Sequence, residues 1–521
     1  MKPQAAPQHP YLTGAPLAIA TISLALATFM NVLDTTIANV SIPHIAGDLS
    51  VSPNQGTWII TSYAVATAIV VPLSGWLARR FGEVRLFVTC TLLFSLASAL
   101  CGLAPTFSSL VNFRALQGAV AGPMIPISQA LLLKCYPPEK KGLALGFWSI
   151  TTVVAPIIGP IMGGWITDNH GWEWIFYINV PVGFACSYIT WNVLKERETT
   201  IVKQPVDKVG LALLAIWVGC LQLCLDAGQQ EDWFDSPRIT ALAVTSFVGF
   251  VFFIAWELME EHPIVDLAMF KNRNYTVATI AISLGYMAFF GNAVLIPLWL
   301  QTQMGYTALW AGLASAPIGV FTLILTPIVA NNLHRMDLRW IATFAFSVFA
   351  FTSFWQASFN TDITFGGVAL PRLMQGLGMA CFFVPMTTIS LSDVPHEKIA
   401  SAAGMTNFVR ILGGSFGTSL VITIWGDRIS HHRTMLTENI SSYNSAWNFM
   451  QNRMENMGMS VDGALQMVSH IVDRQSVMLA TDDLFYLTGV LFTILIGFTW
   501  FSQRVRIPVK DDAAPPPVGE A

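Results

Sequence analysis

The sequence predicts an all-α, polytopic membrane protein: two six-helix bundles with an inserted pair of helices, fourteen spans in all. Three observations carry this. Of 521 residues, 54% are hydrophobic and only 11% are charged, where soluble domains carry about 25% charge. The apolar residues fall into fourteen runs of about 20 residues, the length that crosses a bilayer. The basic residues concentrate in every second gap between those runs. So little charge cannot solvate a soluble surface, which argues against a cytosolic enzyme, a nucleic-acid binder and a disordered regulator.

The expected spans are 16–41, 56–78, 86–104, 108–133, 142–167, 174–194, 209–226, 239–258, 276–300, 308–330, 340–358, 367–390, 402–425 and 484–502. All must be helices, because lipid offers no hydrogen-bond partner to an open strand edge. The first is too long for a signal peptide and carries Asp34, so it is expected to be retained. The seven cysteines are odd in number, form no CxxC pair and lie mostly inside apolar runs. They read as small hydrophobes.

Nineteen of the 27 basic residues lie at the termini or in alternate gaps, among them Arg79, Arg80 and Arg85, then Lys134, Lys140 and Lys141. The six short gaps of the opposite register hold only Arg238. The positive-inside rule therefore places both termini in the cytoplasm and requires an even number of spans. The gap 426–483 then lies outside. It is rich in Met, Asn and Ser, and Ala464, Leu465, Val468, Ile471 and Val472 recur at helical spacing within it. The end of the chain, from Asp511, is rich in Pro and Ala and reads as a disordered tail.

An internal repeat divides the chain. Span 4 reads Arg114-x-x-Gln117-Gly118 and span 12 reads Arg372-x-x-Gln375-Gly376, eight spans apart. Parallel repeats of this kind mark transporters that rock one bundle against another. The expected organisation is a cytoplasmic segment 1–15, a bundle 16–194, a linker 195–208, the inserted pair 209–258, a connector 259–275, a second bundle 276–502 that includes the outer loop, and a tail 503–521.

Asp34 in span 1 and Arg114 in span 4 lie at similar depth, and an intramembrane charge is usually paired or faces water. Protonating Asp34 would neutralise it and release Arg114, which cannot itself deprotonate. This is the chemistry of a proton-coupled switch; the plainer alternative is a static bridge that fixes helix packing. Arg372 has no acid at hand and is expected to pack. In span 5, Gly146, Ala155, Gly159, Pro160, Gly163 and Gly164 permit close helix contact and bending, read as a face that slides against the other bundle. After span 2, Gly75, Arg79, Arg80, Gly82 and Arg85 offer close approach, a tight turn and cations for helix ends or carboxylates.

Several stretches together resemble the fourteen-span drug:proton antiporters of the Major Facilitator Superfamily. They are Leu33-Asp34-Thr35-Thr36-Ile37-Ala38-Asn39-Val40-Ser41-Ile42-Pro43, Arg114-x-x-Gln117-Gly118, the Gly159-Pro160-x-x-Gly163-Gly164 segment, Trp172 to Gly183, and Pro263-Ile264-Val265-Asp266-Leu267-x-x-Phe270. The resemblance implies the Major Facilitator fold in a bacterial inner membrane, and export of hydrophobic, amphipathic compounds driven by proton entry. It further implies a tripartite pump, with a periplasmic adaptor and an outer-membrane channel. The sequence departs from the superfamily where Arg79 replaces an acid, Glu83 a basic residue and Ala155 a glycine. Leu465 and Val468 are the expected adaptor contacts, with a helix lying on the bilayer surface as the alternative.

The competing readings are weaker. A carrier specific for a single solute needs several buried polar groups, whereas the spans are mostly Phe, Met, Leu, Ile and Val. An enzyme is not expected, since no HExxH or Walker loop is present. A metal exporter using His431, His432 and the methionines lacks thiolates in the outer loop. No cofactor is expected.

Overall fold

A computed structural model of the chain describes residues 11–137, 141–199, 201, 207–228, 230–260, 263–265, 267–333, 336–394, 399–438, 440, 444–457 and 460–505. Among these residues helix is the only regular structure. The tail from Asp511 lies outside them.

The first bundle comprises α1 (Gly14–Ile37), α2 (Ile42–Asp48), α3 (Pro53–Gly56), α4 (Trp58–Val70), α5 (Ser74–Phe81), α6 (Glu83–Gly102), α7 (Phe107–Ala121), α8 (Met124–Cys135), α9 (Lys141–His170), α10 (Trp174–Tyr177) and α11 (Asn179–Leu194). The inserted pair is α12 (Lys208–Ala227) and α13 (Pro237–Met259). The second bundle comprises α14 (Arg273–Gln303), α15 (Ala308–Ser315), α16 (Ile318–Asn332), α17 (Leu338–Gln356), α18 (Phe365–Leu391), α19 (Ile399–Glu438), α20 (Ser445–Asn456) and α21 (Val461–Thr499). Proline shapes the breaks, because it lacks the N–H that would continue the ladder. The turn Val71–Leu73 around Pro72 separates α4 from α5, and Gly122-Pro123 separates α7 from α8.

Twelve stretches among the described residues are long and apolar enough to cross a membrane. They fall on twelve of the expected spans. The other two expected spans fall on α9, helical over 30 residues, and on α10 with α11, of which α11 has 16. The protein is thus an all-α multi-pass membrane protein, and the total of fourteen spans remains the proposal of the charge pattern.

Within the first bundle α1 packs on α9 and α11, and α4 on α7; within the second, α14 packs on α19, and α17 on α18 and α21. The bundles meet along α4–α19 and α9–α15, while α12 touches α13, α4 and α19. Gln301 Nε2 donates to the Val40 carbonyl at 2.8 Å, and the amides of Ala308 and Leu309 donate to Asp168 at 3.3 and 2.9 Å. Ile42 and Ile60 of the first bundle join the apolar cluster around Trp299 of the second.

The segment expected as an outer loop is largely helix. α19 runs on to Glu438, α21 begins at Val461, and α20 lies between them. The apolar positions expected to form a turn or two belong to the long α21. Ala464, Val468 and Val472 are buried with Met454 against Leu436, Ile440, Trp447 and Met450. This helical hairpin marks one end of the molecule, called the hairpin face below.

Candidate functional site

The structure joins Asp34 and Arg114 directly. Asp34 lies in the last turn of α1, Arg114 at the middle of α7, and both are fully buried. Arg114 Nη1 donates to Asp34 Oδ2 at 2.5 Å and to Gln117 Oε1 at 2.7 Å, and its Nε donates to the Ile59 carbonyl at 3.1 Å. The guanidinium also lies 4.2 Å over the ring of Tyr63, where the face of the π-system attracts a cation. The second carboxylate oxygen of Asp34 accepts from Gln117 Nε2 at 3.1 Å and from Asn179 Nδ2 at 2.8 Å. Asn179 is steadied in turn by Ser98 Oγ at 3.0 Å. A buried carboxylate therefore holds one cation and two amide donors, drawn from α7 and α11, as a buried charge requires.

Gln117 and Asn179 escaped the sequence reading as site residues, although both stand in motifs singled out there. The available signal was a polar side chain one turn from Arg114, and another inside an apolar span. Gly118 explains the remainder of the Arg-x-x-Gln-Gly motif. A Cβ there would stand 2.2 Å from the Tyr63 carbonyl oxygen, so only glycine lets α7 close on α4. The repeat keeps the local bond without the acid. Arg372 Nη1 donates to Gln375 Oε1 at 2.7 Å, and Arg372 is buried.

The small residues of α9 divide between two partners, and this corrects the reading of one sliding face. Cβ atoms at Gly159 and Gly163 would meet Thr36 Oγ1 at 2.2 Å and the Ile37 carbonyl at 2.4 Å, both in the same bundle. Ala155 is buried in the cluster that includes Leu33 and Ile37. Gly164 instead faces the other bundle, where its Cβ would meet the Ala308 carbonyl at 2.5 Å. The Pro160 carbonyl is the atom that a Cβ at Gly312 would meet at 2.2 Å. The surroundings of Gly146 lie outside the described residues.

The family model for the Major Facilitator Superfamily matches residues 24–418, which takes in the Asp34 cluster and the α9–α15 seam. The chain belongs to the Major Facilitator Superfamily. Within the superfamily it is 49% identical over 499 residues to the multidrug export protein EmrB of Haemophilus influenzae, covering 96% of this chain and 98% of that protein. It is 48% identical over 497 residues to EmrB of Escherichia coli, covering 95% and 97%. It is 46% identical over 495 residues to the fatty acid resistance protein FarB of Neisseria gonorrhoeae, covering 95% and 98%. Among solved structures, an auto-inhibited POT family peptide transporter aligns with a TM-score of 0.61 at 14% identity, over 96% of this chain and 99% of that one. A bacterial homologue of the human lysosomal transporter Spinster, inward-facing and unoccupied, aligns with a TM-score of 0.60 at 16% identity, over 94% and 98%. These two bear on the fold alone.

The turn between α5 and α6 is held by ion pairs and by amide bonds to a carboxylate. Gly82 has φ +89°, so the tight turn needs glycine, and a Cβ there would stand 2.4 Å from Glu198 Cδ. The Glu198 carboxylate accepts the amides of Val84 and Arg85 at 3.0 and 2.9 Å, capping the start of α6 from the far end of the bundle. Arg85 lies 3.9 Å from Glu198, and Glu83 pairs with Lys134 at 2.6 Å. Arg79 is exposed and Arg80 partly so. Gly75 was expected to allow a close approach, but no described neighbour lies within 4 Å of a Cβ placed there.

On the hairpin the structure separates the two expected adaptor contacts. Leu465 is 46% exposed, whereas Val468 is 6% exposed. Val468 packs inside the hairpin's own apolar cluster and is unavailable to a partner. The exposed apolar side chains beside Leu465 are Met467 and Ile471. Of the two histidines, His432 Nε2 lies 2.8 Å from Asp483 Oδ2.

Proposed function

We propose that this chain is a proton-driven multidrug exporter, moving hydrophobic and amphipathic compounds out of the cytoplasm by drug:proton antiport with alternating access. One observation carries the reading: a single carboxylate, Asp34, balances the buried Arg114 while Gln117 and Asn179 hold its other oxygen. Ionised, Asp34 fastens α1 to α7 and α11. Protonated, it loses its negative charge and the charge assistance that shortens those bonds, and Arg114 keeps only its neutral acceptors. One turn beyond Asp34, Thr36 and Ile37 seat Gly159 and Gly163 of α9, and Gly164 on the same helix meets α15 of the other bundle. A shift of α1 on protonation is thereby passed through α9 to the seam between the bundles.

The names of the relatives, multidrug export and fatty acid resistance proteins, support the cargo class. The positive-inside pattern supports a bacterial inner membrane location with fourteen spans, both termini cytoplasmic and the hairpin outside. The hairpin is then the docking element for a periplasmic adaptor, which joins the transporter to an outer-membrane channel. Leu465, Met467 and Ile471 are the contacts available for it. Inverted vesicles carrying the protein test the transport reading. Dye accumulation should stop when the proton gradient is collapsed, and accumulation insensitive to an uncoupler would overturn antiport.

A further inference from the structure

A second carboxylate stands where three parts of the molecule meet. Asp226 is in the last turn of α12, the first helix of the inserted pair. Its Oδ2 accepts from Thr61 Oγ1 of α4 at 2.8 Å, and its Oδ1 accepts from Gln222 Nε2 at 2.8 Å and from Ser419 Oγ of α19. Gln222 also donates to Ser419 Oγ at 2.5 Å, and Ser415 Oγ donates to Gln222 Oε1 at 3.1 Å. The Asp226 carbonyl accepts from Trp58 Nε1 at 3.2 Å. One side chain thus ties the first bundle, the inserted pair and the second bundle together near the hairpin face. Among the described residues no cation is bonded to it. Arg238, the basic residue at the start of α13, is engaged with Glu231 at 2.6 Å. The groups bonded to Asp226 from α4 and α19 are hydroxyls and an indole; the titratable side chains within ten residues of it on its own segment are Cys220, Cys224, Glu231, Asp232 and Asp235. Asp226 is only partly buried, and a cleft lined by Asn54, Thr57, Gln230 and Thr423 opens beside it.

We propose that Asp226 is a proton-operated latch, through which the inserted helix pair holds the two bundles closed at the hairpin face and releases them when the carboxylate takes a proton through the cleft. The chemistry follows from the donor set. An ionised carboxylate is an acceptor only, and it satisfies all three donors with charge-assisted bonds. A neutral acid has one oxygen that carries a hydrogen, gives up an acceptor site toward Thr61 or Ser419, and loses the charge assistance on the others. The latch weakens at the α4–α19 seam, where the bundles must part. The inserted pair then has a mechanical role: it carries the acid between two bundles whose own side chains bonded to it, Thr61 and Ser419, are neutral. The inference rests on alternating access, and does not depend on the role of Asp34.

The test measures the seam itself. Spin labels are placed at Asn54→Cys and Ser430→Cys in the full chain in lipid nanodiscs, with the parent chain and its native cysteines giving the background. Distances between the labels are read across a pH series. The parent pair should show a compact population at neutral pH and a longer one that grows in acid. Asp226→Asn should show the longer population at every pH. Ser419→Ala keeps the acid but removes a donor to its ionised form, so the midpoint should rise by about one pH unit. Asp34→Asn should leave the pH response in place. A response unchanged in Asp226→Asn, one lost in Asp34→Asn, or none in the parent pair would each overturn the latch.

Discussion

Replacing Gly164 by alanine should shift the transporter between its conformations, while the same change one residue earlier should only weaken the fold. At Gly164 the added Cβ would lie 2.5 Å from the Ala308 carbonyl oxygen and 2.5 Å from Leu309 Cα. Both are backbone atoms at the start of α15, so neither can swing aside, and relief requires α9 and α15 to separate. An overpacked methyl costs about 1–3 kcal/mol. Here that cost falls on the state in which the bundles are closed along α9–α15. Since about 1.4 kcal/mol is tenfold in an equilibrium, the closed state should lose about 5- to 150-fold in relative population. Gly163 faces the Ile37 carbonyl at 2.4 Å inside its own bundle. That contact belongs to both conformations, so the cost there appears as a lower Tm at an unchanged conformational ratio. Spin labels at Asn169→Cys on α9 and Trp310→Cys on α15 report the separation, and thermal unfolding in detergent reports stability. A distance distribution unchanged in Gly164→Ala, or moved equally by Gly163→Ala, would refute the division of α9 into an inward and a cross-bundle face.

Asp34→Asn should abolish gradient-driven dye transport in inverted vesicles while leaving membrane insertion intact; full transport would move the coupling role elsewhere. Arg114→Ala leaves a buried carboxylate without its cation and should cost about 3–5 kcal/mol of stability, read as a large fall in Tm. Arg114→Lys should recover part of that stability but less transport, because lysine cannot hold Asp34, Gln117 and the Ile59 carbonyl with one planar fork. Asp337 caps α17 and pairs with Arg339 at 2.8 Å, and the Arg339 hydrogen bond holds its carboxyl below the usual range. Its contribution is therefore present above the unfolded value of about 3.9 and is lost as pH falls through the lowered one. Asp337→Ala should cost about 1 kcal/mol at pH 7, and the Tm difference from the parent should vanish in strong acid. A photocrosslinker at Leu465 should capture the periplasmic adaptor and one at Val468 should not, since Val468 is enclosed by the hairpin.

What the sequence determined by itself was whatever depends on solvent and period. Charge scarcity and apolar runs of bilayer length leave helices as the only spanning structure, and the repeated Arg-x-x-Gln-Gly is visible as text. Asp34 and Arg114 were legible because an intramembrane charge is too costly to stand without purpose. Tertiary structure alone decided which faces meet. A glycine announces a close approach but not its neighbour, so Gly163 and Gly164 read alike until α1 and α15 were in place. Asn179 and Gln117 are neutral, and their importance rests on the carboxylate they reach rather than on their own cost of burial. Asp226 stands at the end of its span, where an acid is unremarkable in sequence; only the packing of α12 between α4 and α19 surrounds it with donors. Val468 and Leu465 share an apolar pattern, and only the fold of the hairpin decided which one it covers. Periodicity records that a side chain wants burial, whereas the partner that buries it is set by contacts distant in the chain.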